Sequence, residues 1–197
     1  MRTLAAAVLT FFAVLPGMAA AQWHLGIELS SSRYGGTAHD TTGTGPPYAG
    51  PGGGTGLGIR VDKSVANMRV SLRASYSTAG FKLSGEGIDF SDKSTGDVLE
   101  AVLLFGIRVG GIGPSGAARV ELGPALHLWN LSGEVRDRIG AVGALAYEWP
   151  IAGRVSGAVR LEGMISRSWF EAVDLPPEYE RRATRRAAVS LGLRYRL

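Results

Sequence analysis

The chain contains no cysteine. That excludes disulfides, thiolate metal sites and cysteine nucleophiles in one step, and leaves stability to packing and hydrogen bonding even where export would permit disulfides. Lysine is nearly absent: Lys63, Lys82 and Lys93 are the full set, and each falls in a segment that reads as turn or loop. Histidine is limited to His24, His39 and His127, so no metal or cofactor is expected. After the first residues no apolar run approaches the ~20 residues of a transmembrane helix, so a membrane role for the rest must come from strands or a surface helix.

What is present begins with Met1, Arg2 and Thr3, an apolar run over residues 4–15, then Pro16, Gly17 and the small residues Ala19, Ala20 and Ala21 before Gln22. A positive start, a short apolar stretch and a small-x-small site describe a secretory leader, with cleavage expected after Ala21. Residues 1–21 are therefore read as signal peptide and 22–197 as one domain, the default for this length. The formal charge of +4 and pI near 9.7 come mainly from arginine. An exported chain rarely meets nucleic acid, so anionic lipid headgroups are the expected counter-surface. Glycine, at 29 residues, lies largely inside apolar segments, where it suits bends and crowded interiors.

Residues 22–197 form a succession of segments alternating at period two, the mark of strands with one apolar face. The clearest is 68–77, where Met68, Val70, Leu72, Ala74 and Tyr76 alternate with Arg69, Ser71, Arg73 and Ser75. Seven others are drawn at 23–33, 54–62, 98–109, 118–129, 139–147, 155–166 and 186–197. The sixth, mostly Gly and Ala, is the weakest. Pro124 interrupts the fifth and forfeits a ladder bond, so a bulge or local break is expected there.

The connections alternate too. Residues 34–53, 78–97 and 170–185 are long and polar; 63–67, 110–116 and 148–154 are short; 130–138 is intermediate. Short turns on one side and long loops on the other are the pattern of outer-membrane barrels whose ends both face the periplasm. On these segments and connections the chain resembles the OmpA/OmpX-type eight-stranded outer-membrane barrels over nearly its whole length. The closing residues 191–197 resemble the C-terminal signal such proteins present to the barrel assembly machinery, with Leu197 where an aromatic residue is usual. The resemblance implies an all-β, eight-stranded antiparallel up-and-down transmembrane barrel. It also implies outer-membrane localisation after export, contact with outer-membrane lipid and lipopolysaccharide, no nucleic acid, and a monomer.

Alternation alone does not say whether the apolar face meets lipid or an internal ligand, since a soluble lipocalin-like barrel reads the same inside out. Segments of about ten residues match a tilted membrane-crossing strand. The polar face is mainly Gly, Ala and Ser, as a narrow interior needs. Aromatic residues fall near the expected interfaces, with Trp23, Tyr147, Trp149 and Tyr195 at the short-turn end and Tyr76 and Trp169 at the other. An apolar exterior then leaves Glu28, Glu100, Glu121 and Glu162 inside with Arg60, Arg69, Arg73, Arg108, Arg119, Arg160, Arg194 and Arg196. A single buried charge is costly, so a salt-bridge network filling the barrel is expected rather than a pore.

Catalytic candidates are few. His127, with Glu121 on its face and Ser132 in the next loop, is the best triad of a lipid A-modifying enzyme, yet parity turns its ring inward, so no catalytic residue is assigned. His39 and Asp40 are a weak metal or base pair. The stretch Gly52, Gly53, Gly54, Thr55 and Gly56 lacks the Gly-Lys-Ser/Thr ending and following helix of a phosphate loop. Arg181, Arg182, Arg185 and Arg186 flank the last long connection and are candidates for lipopolysaccharide phosphates, because guanidinium pairs bidentately with phosphate.

Overall fold

The structure, a computed structural model, describes residues 22–35, 38–43, 48–85, 88–92, 96–111, 113, 115–131, 133–175 and 177–197. The expected leader at residues 1–21, Lys93 and Ser132 lie outside the described residues. In chain order the strands are β1 (Gln22–Gly35), β2 (Ala38–Asp40), β3 (Tyr48–Pro51), β4 (Gly54–Val65), β5 (Met68–Thr78), β6 (Phe81–Gly85), β7 (Ile88–Asp92), β8 (Gly96–Gly110), β9 (Ala117–Leu131), β10 (Glu134–Ala152), β11 (Val155–Ser166), β12 (Tyr179–Arg181) and β13 (Thr184–Arg196).

Eight of them close a barrel in the order β1-β13-β11-β10-β9-β8-β5-β4. Leu25 on β1 lies opposite Tyr195 on β13 and opposite Val61 on β4, so the first and last strands pair and neither leaves a free edge. Closure is what a barrel in hydrocarbon requires, because lipid offers backbone groups no partner. Side chains alternate as the period-two reading requires: on β4, Leu57 and Ile59 point outward, 63% and 58% exposed, while Arg60 beside them is 0% exposed. Leu29, Leu99, Leu122, Leu145, Leu161 and Leu191 continue the outer apolar surface around the barrel.

Several expectations need correction. The long connections are not simply loops. They carry β2, β3, β6, β7 and β12, which form a second sheet in the order β12-β2-β3-β6-β7 above one end of the barrel. These strands are three to five residues long, too short for alternation to set them apart from loop, although Phe81 and Leu83 on β6 and Ile88 and Phe90 on β7 do alternate with polar residues. The segment read as weakest is the longest strand, β10, at 19 residues. Its Gly and Ala side chains add little, but its backbone is paired with β9 and β11 along most of its length. The connection expected at 130–138 shrinks to residues 132–133, with Gly133 at φ 95°.

At Pro124, β9 runs on without a bulge, but its ladder to β8 is broken. Val102 faces Ala125 and Phe105 faces Leu122, with the two pairs between them missing and the register unchanged. Proline has no N–H to give there. The bulge in this pair lies instead between Arg108 and Gly110. Trp169, expected in the aromatic girdle, is instead 4% exposed. It packs at 6.0 Å from Trp129 and 5.1 Å from Phe170, stoppering the long-connection end with Val98 and Ala79.

Candidate functional site: the charged interior and its rim

Inward-pointing positions of all eight barrel strands meet in a narrow lumen, and the residues there are mostly charged. In the half near the short turns, Arg60 on β4 makes a bidentate pair with Glu121 on β9, at 2.6 and 3.1 Å. It also donates to Ser71 Oγ at 2.6 Å and to Asp62 two residues along. Arg160 on β11 reaches both oxygens of Glu28 at 2.7 Å and sets its Nε 3.0 Å from Glu121. Glu148 on β10 collects Arg69, Arg194 and Arg119, the last at 3.5 Å.

In the other half, Arg73 on β5 forks onto Glu162 at 2.5 and 3.0 Å and reaches Glu100 at 2.7 Å. Arg186 on β13 spans the same two carboxylates, with Nη1 2.8 Å from Glu100. His127 Nε2 lies 2.7 Å from the same Glu100 oxygen, Oε2, while Arg73 holds Oε1. Among the described residues, seven arginines thus surround six carboxylates, each carboxylate shared by two or more cations. Shared bidentate pairing is the geometry that best offsets the cost of taking charge out of water.

An apolar cluster of Val102, Leu104, Ala125, Val142 and Met164 fills the β8–β11 side of the lumen. One cavity, lined by serines 30, 32, 75, 77 and 190 with Arg73, Glu100 and Arg186, has a volume near 20 Å³. That holds about one water. It offers no chamber for an apolar ligand of the kind a soluble carrier binds.

Of the expected interior residues, Glu28, Arg60, Arg69, Arg73, Glu100, Arg119, Glu121, Arg160, Glu162 and Arg194 meet in this network. Arg108 and Arg196 do not. Both are exposed at the short-turn end, where Arg108 donates to Gly116 O at 3.3 Å, because their strands outrun the enclosed lumen. Arg186, expected at lipid phosphates, is a second correction: strand alternation turns it inward onto Glu100 and Glu162, while Arg185 beside it points out. Arg181 and Arg182 are exposed, and Arg182 pairs with Glu180 at 3.2 Å.

The triad candidate is dismantled, since His127 is held by Glu100 while Glu121 is held by Arg60 and Arg160. His127 is 0% exposed and turned away from the outer surface. Asp40 Oδ1 accepts from Thr42 N and Oγ1, each at 2.8 Å, a local turn rather than half of a metal site. Sequence reasoning missed Asp62, whose even-numbered position in β4 already placed it inward, and Glu148, which had been assigned to a turn that the long β10 absorbs.

At the long-connection end a second set of contacts ties the 3-10 turn at Ala172–Asp174 to β10. Arg138 donates to Ser168 O at 2.6 Å and to Glu171 Oε1 at 2.5 Å. Arg136 pairs with Glu134 at 3.0 Å and with Asp174. Hydrogen bonds from Arg136 hold both carboxyl groups below their ordinary values, and the same bonds raise the arginine.

The closed eight-stranded barrel has a structural counterpart. Neisserial surface protein A matches 89% of this chain and 98% of its own, with a TM-score of 0.53 at 10% identity. The chain has the fold of the small eight-stranded outer-membrane barrels. Ail, the attachment invasion locus protein of Yersinia pestis, in complex with the heparin analogue sucrose octasulfate, matches 90% of this chain and 99% of its own, with TM-score 0.48 and 12% identity. A major outer membrane protein from Thermus thermophilus matches 89% and 99%, with TM-score 0.45 and 12% identity. No family model and no curated protein matches the barrel.

Proposed function

We propose that this chain is exported by its leader, residues 1–21, and inserts as an integral protein of the bacterial outer membrane. There it serves as a sealed, non-enzymatic scaffold that holds its second sheet and long connections at the cell surface. The observation that carries this reading is the inversion of the barrel: large apolar side chains ring the outside while charged ones crowd the inside. A continuous apolar exterior of this extent marks contact with a membrane. The barrel strands, 11 to 19 residues long, exceed the roughly ten that a tilted strand needs to cross hydrocarbon.

Exterior rings at the short-turn end fit an interfacial belt. Tyr147 and Trp149 stack at 6.1 Å, and Lys63 lies 5.2 Å over the ring of Trp23. Placing the short turns in the periplasm puts the second sheet outside the cell. A soluble carrier would need the apolar face inside and a chamber behind it, and a lipid-modifying enzyme would need His127 within reach of a lipid.

Cell fractionation with gel mobility before and after boiling tests the proposal. The protein is expected in the outer-membrane fraction, migrating faster unheated than boiled. Recovery in a detergent-free soluble fraction, or mobility indifferent to boiling, overturns it.

A further inference from the structure

The outer surface of the barrel is not uniformly convex. A groove of about 640 Å³ crosses the face of β9, β10, β11, β13 and β1. Its floor is made of Gly143, Gly163 and Ala187, and its walls include Leu122, Leu145 and Leu161, all more than half exposed. A Cβ added at Gly163 would meet nothing within 4 Å, so the middle of the floor stands open, while at Gly143 the same atom would lie 3.1 Å from Leu122 Cδ2, which closes the deep end.

The direction of the groove is set by register. Leu122 faces Gly143, Gly143 faces Gly163, Gly163 faces Ala187 and Ala187 faces Arg33, one row across five strands. At about 4.8 Å per strand the row is roughly 20 Å long. Arg33 stands two residues from the long-connection end of β1, whereas Leu122 stands nine from that end of β9. The groove therefore descends from the rim into the apolar belt.

The rim end is cationic. Arg33 lines the groove itself. Arg185 points outward from β13 two residues above Ala187, flanked by Gly35 and Ile165. Arg167 follows β11 immediately and is likewise exposed. None of the three is paired with a carboxylate among the described residues. Of the two carboxylates that share a hollow with Arg167, Glu171 is engaged by Arg138, and Asp137 makes no ion pair with Arg167 among the described residues. Unpaired guanidinium groups above an apolar trough are complementary to a molecule with a phosphate head and a hydrocarbon tail.

We infer that this face is a binding site for one molecule of the phosphorylated glycolipid of the outer leaflet, with an acyl chain in the Gly143–Gly163–Ala187 groove and phosphate on Arg33, Arg167 and Arg185. The inference rests on the outer-membrane reading above, and it replaces Arg186 with outward-facing arginines of the same rim.

The test is native mass spectrometry of the folded, detergent-solubilised barrel titrated with lipid A, with dephosphorylated lipid A and with inorganic phosphate. The wild-type barrel is expected to retain one lipid A and to bind the dephosphorylated lipid about tenfold or more weakly, with no retained inorganic phosphate. The triple variant Arg33→Gln, Arg167→Gln, Arg185→Gln should lose lipid A by a similar factor. Gly163→Leu, which fills the groove without touching charge, should weaken both lipids.

Unchanged retention in the charge-neutral triple variant overturns the assignment, as does equal retention of phosphorylated and dephosphorylated lipid, or no retention by the wild type. Each variant's boiling-dependent mobility reports its folding, and because the arginine substitutions lie at an exposed rim, they test the site even if Gly163→Leu fails to assemble. A barrel that fractionates with the outer membrane but retains no lipid A refutes the site alone. A soluble chain refutes the reading beneath it.

Discussion

Arg60 touches Glu121, Asp62 and Ser71 from a position with no exposed surface. Its value is best seen by removing it. Arg60→Ala leaves two carboxylates enclosed without their main cation, a loss of about 3–5 kcal/mol by the usual cost of breaking a buried pair. Urea unfolding of the barrel in lipid vesicles should register it, and wild-type resistance in that variant would refute the structural role given to the network. Arg60→Lys should fall between the two, since an ammonium cannot fork onto Glu121.

At the rim the residue-scale prediction concerns pH. Glu134 and Asp174 are held below their ordinary values by hydrogen bonds from Arg136. A carboxylate with a depressed folded pKa contributes stability that is complete above its unfolded value and fades as pH falls through the folded one. The tie between the Ala172–Asp174 turn and β10 should therefore hold at neutral pH and loosen only below about pH 4. Proteolysis by an acid-active protease near residues 171–175 should rise there, and Arg136→Ala should give neutral-pH cleavage by a neutral protease. Equal cleavage of wild type and variant at neutral pH would count against the tie.

Among the strands, β9 is tightly constrained by its neighbour. A Cβ on Gly123 would lie 1.8 Å from the Leu103 carbonyl oxygen, so the two backbones approach there more closely than any other residue permits. This is also where the β8–β9 ladder drops its pairs beside Pro124. Gly123→Ala should block assembly and abolish the boiling-sensitive band. Gly163→Ala, at a position facing open space, should leave it intact. Two equally folded variants would contradict the close approach. The contrast also says why β10 is the longest strand despite its small side chains: in a closed barrel a strand between two partners is held by its backbone, and small residues can sit where large ones would collide.

For the whole molecule, the lumen is closed by stacked layers: ion pairs in both halves, an apolar cluster on one side and the Trp129–Trp169 stopper at the long-connection end. Eight strands enclose only enough room for their own side chains. Reconstituted in planar bilayers, the barrel should pass no steady ionic current. A stable single-channel conductance would overturn the sealed lumen.

The number of barrel strands, their approximate positions, the outward face of each and the charged character of the interior were all readable from period-two alternation, because a strand with lipid on one side and a crowded lumen on the other must write that difference at every second residue. Leu72 and Arg73 carry it as plainly in the chain as in the barrel. The partners of each charge were not readable. Alternation over 186–197 already sets Arg186 on the polar face, but it cannot say that Glu100 will collect Arg73, Arg186 and His127. Those meetings depend on barrel closure and stagger, which bring together residues 27 to 86 positions apart. The short strands of the second sheet, the burial of Trp169 and the groove over Gly163 were likewise set by neighbours across the sheet, since only the assembled surface decides which side chains are covered and which stand over empty space.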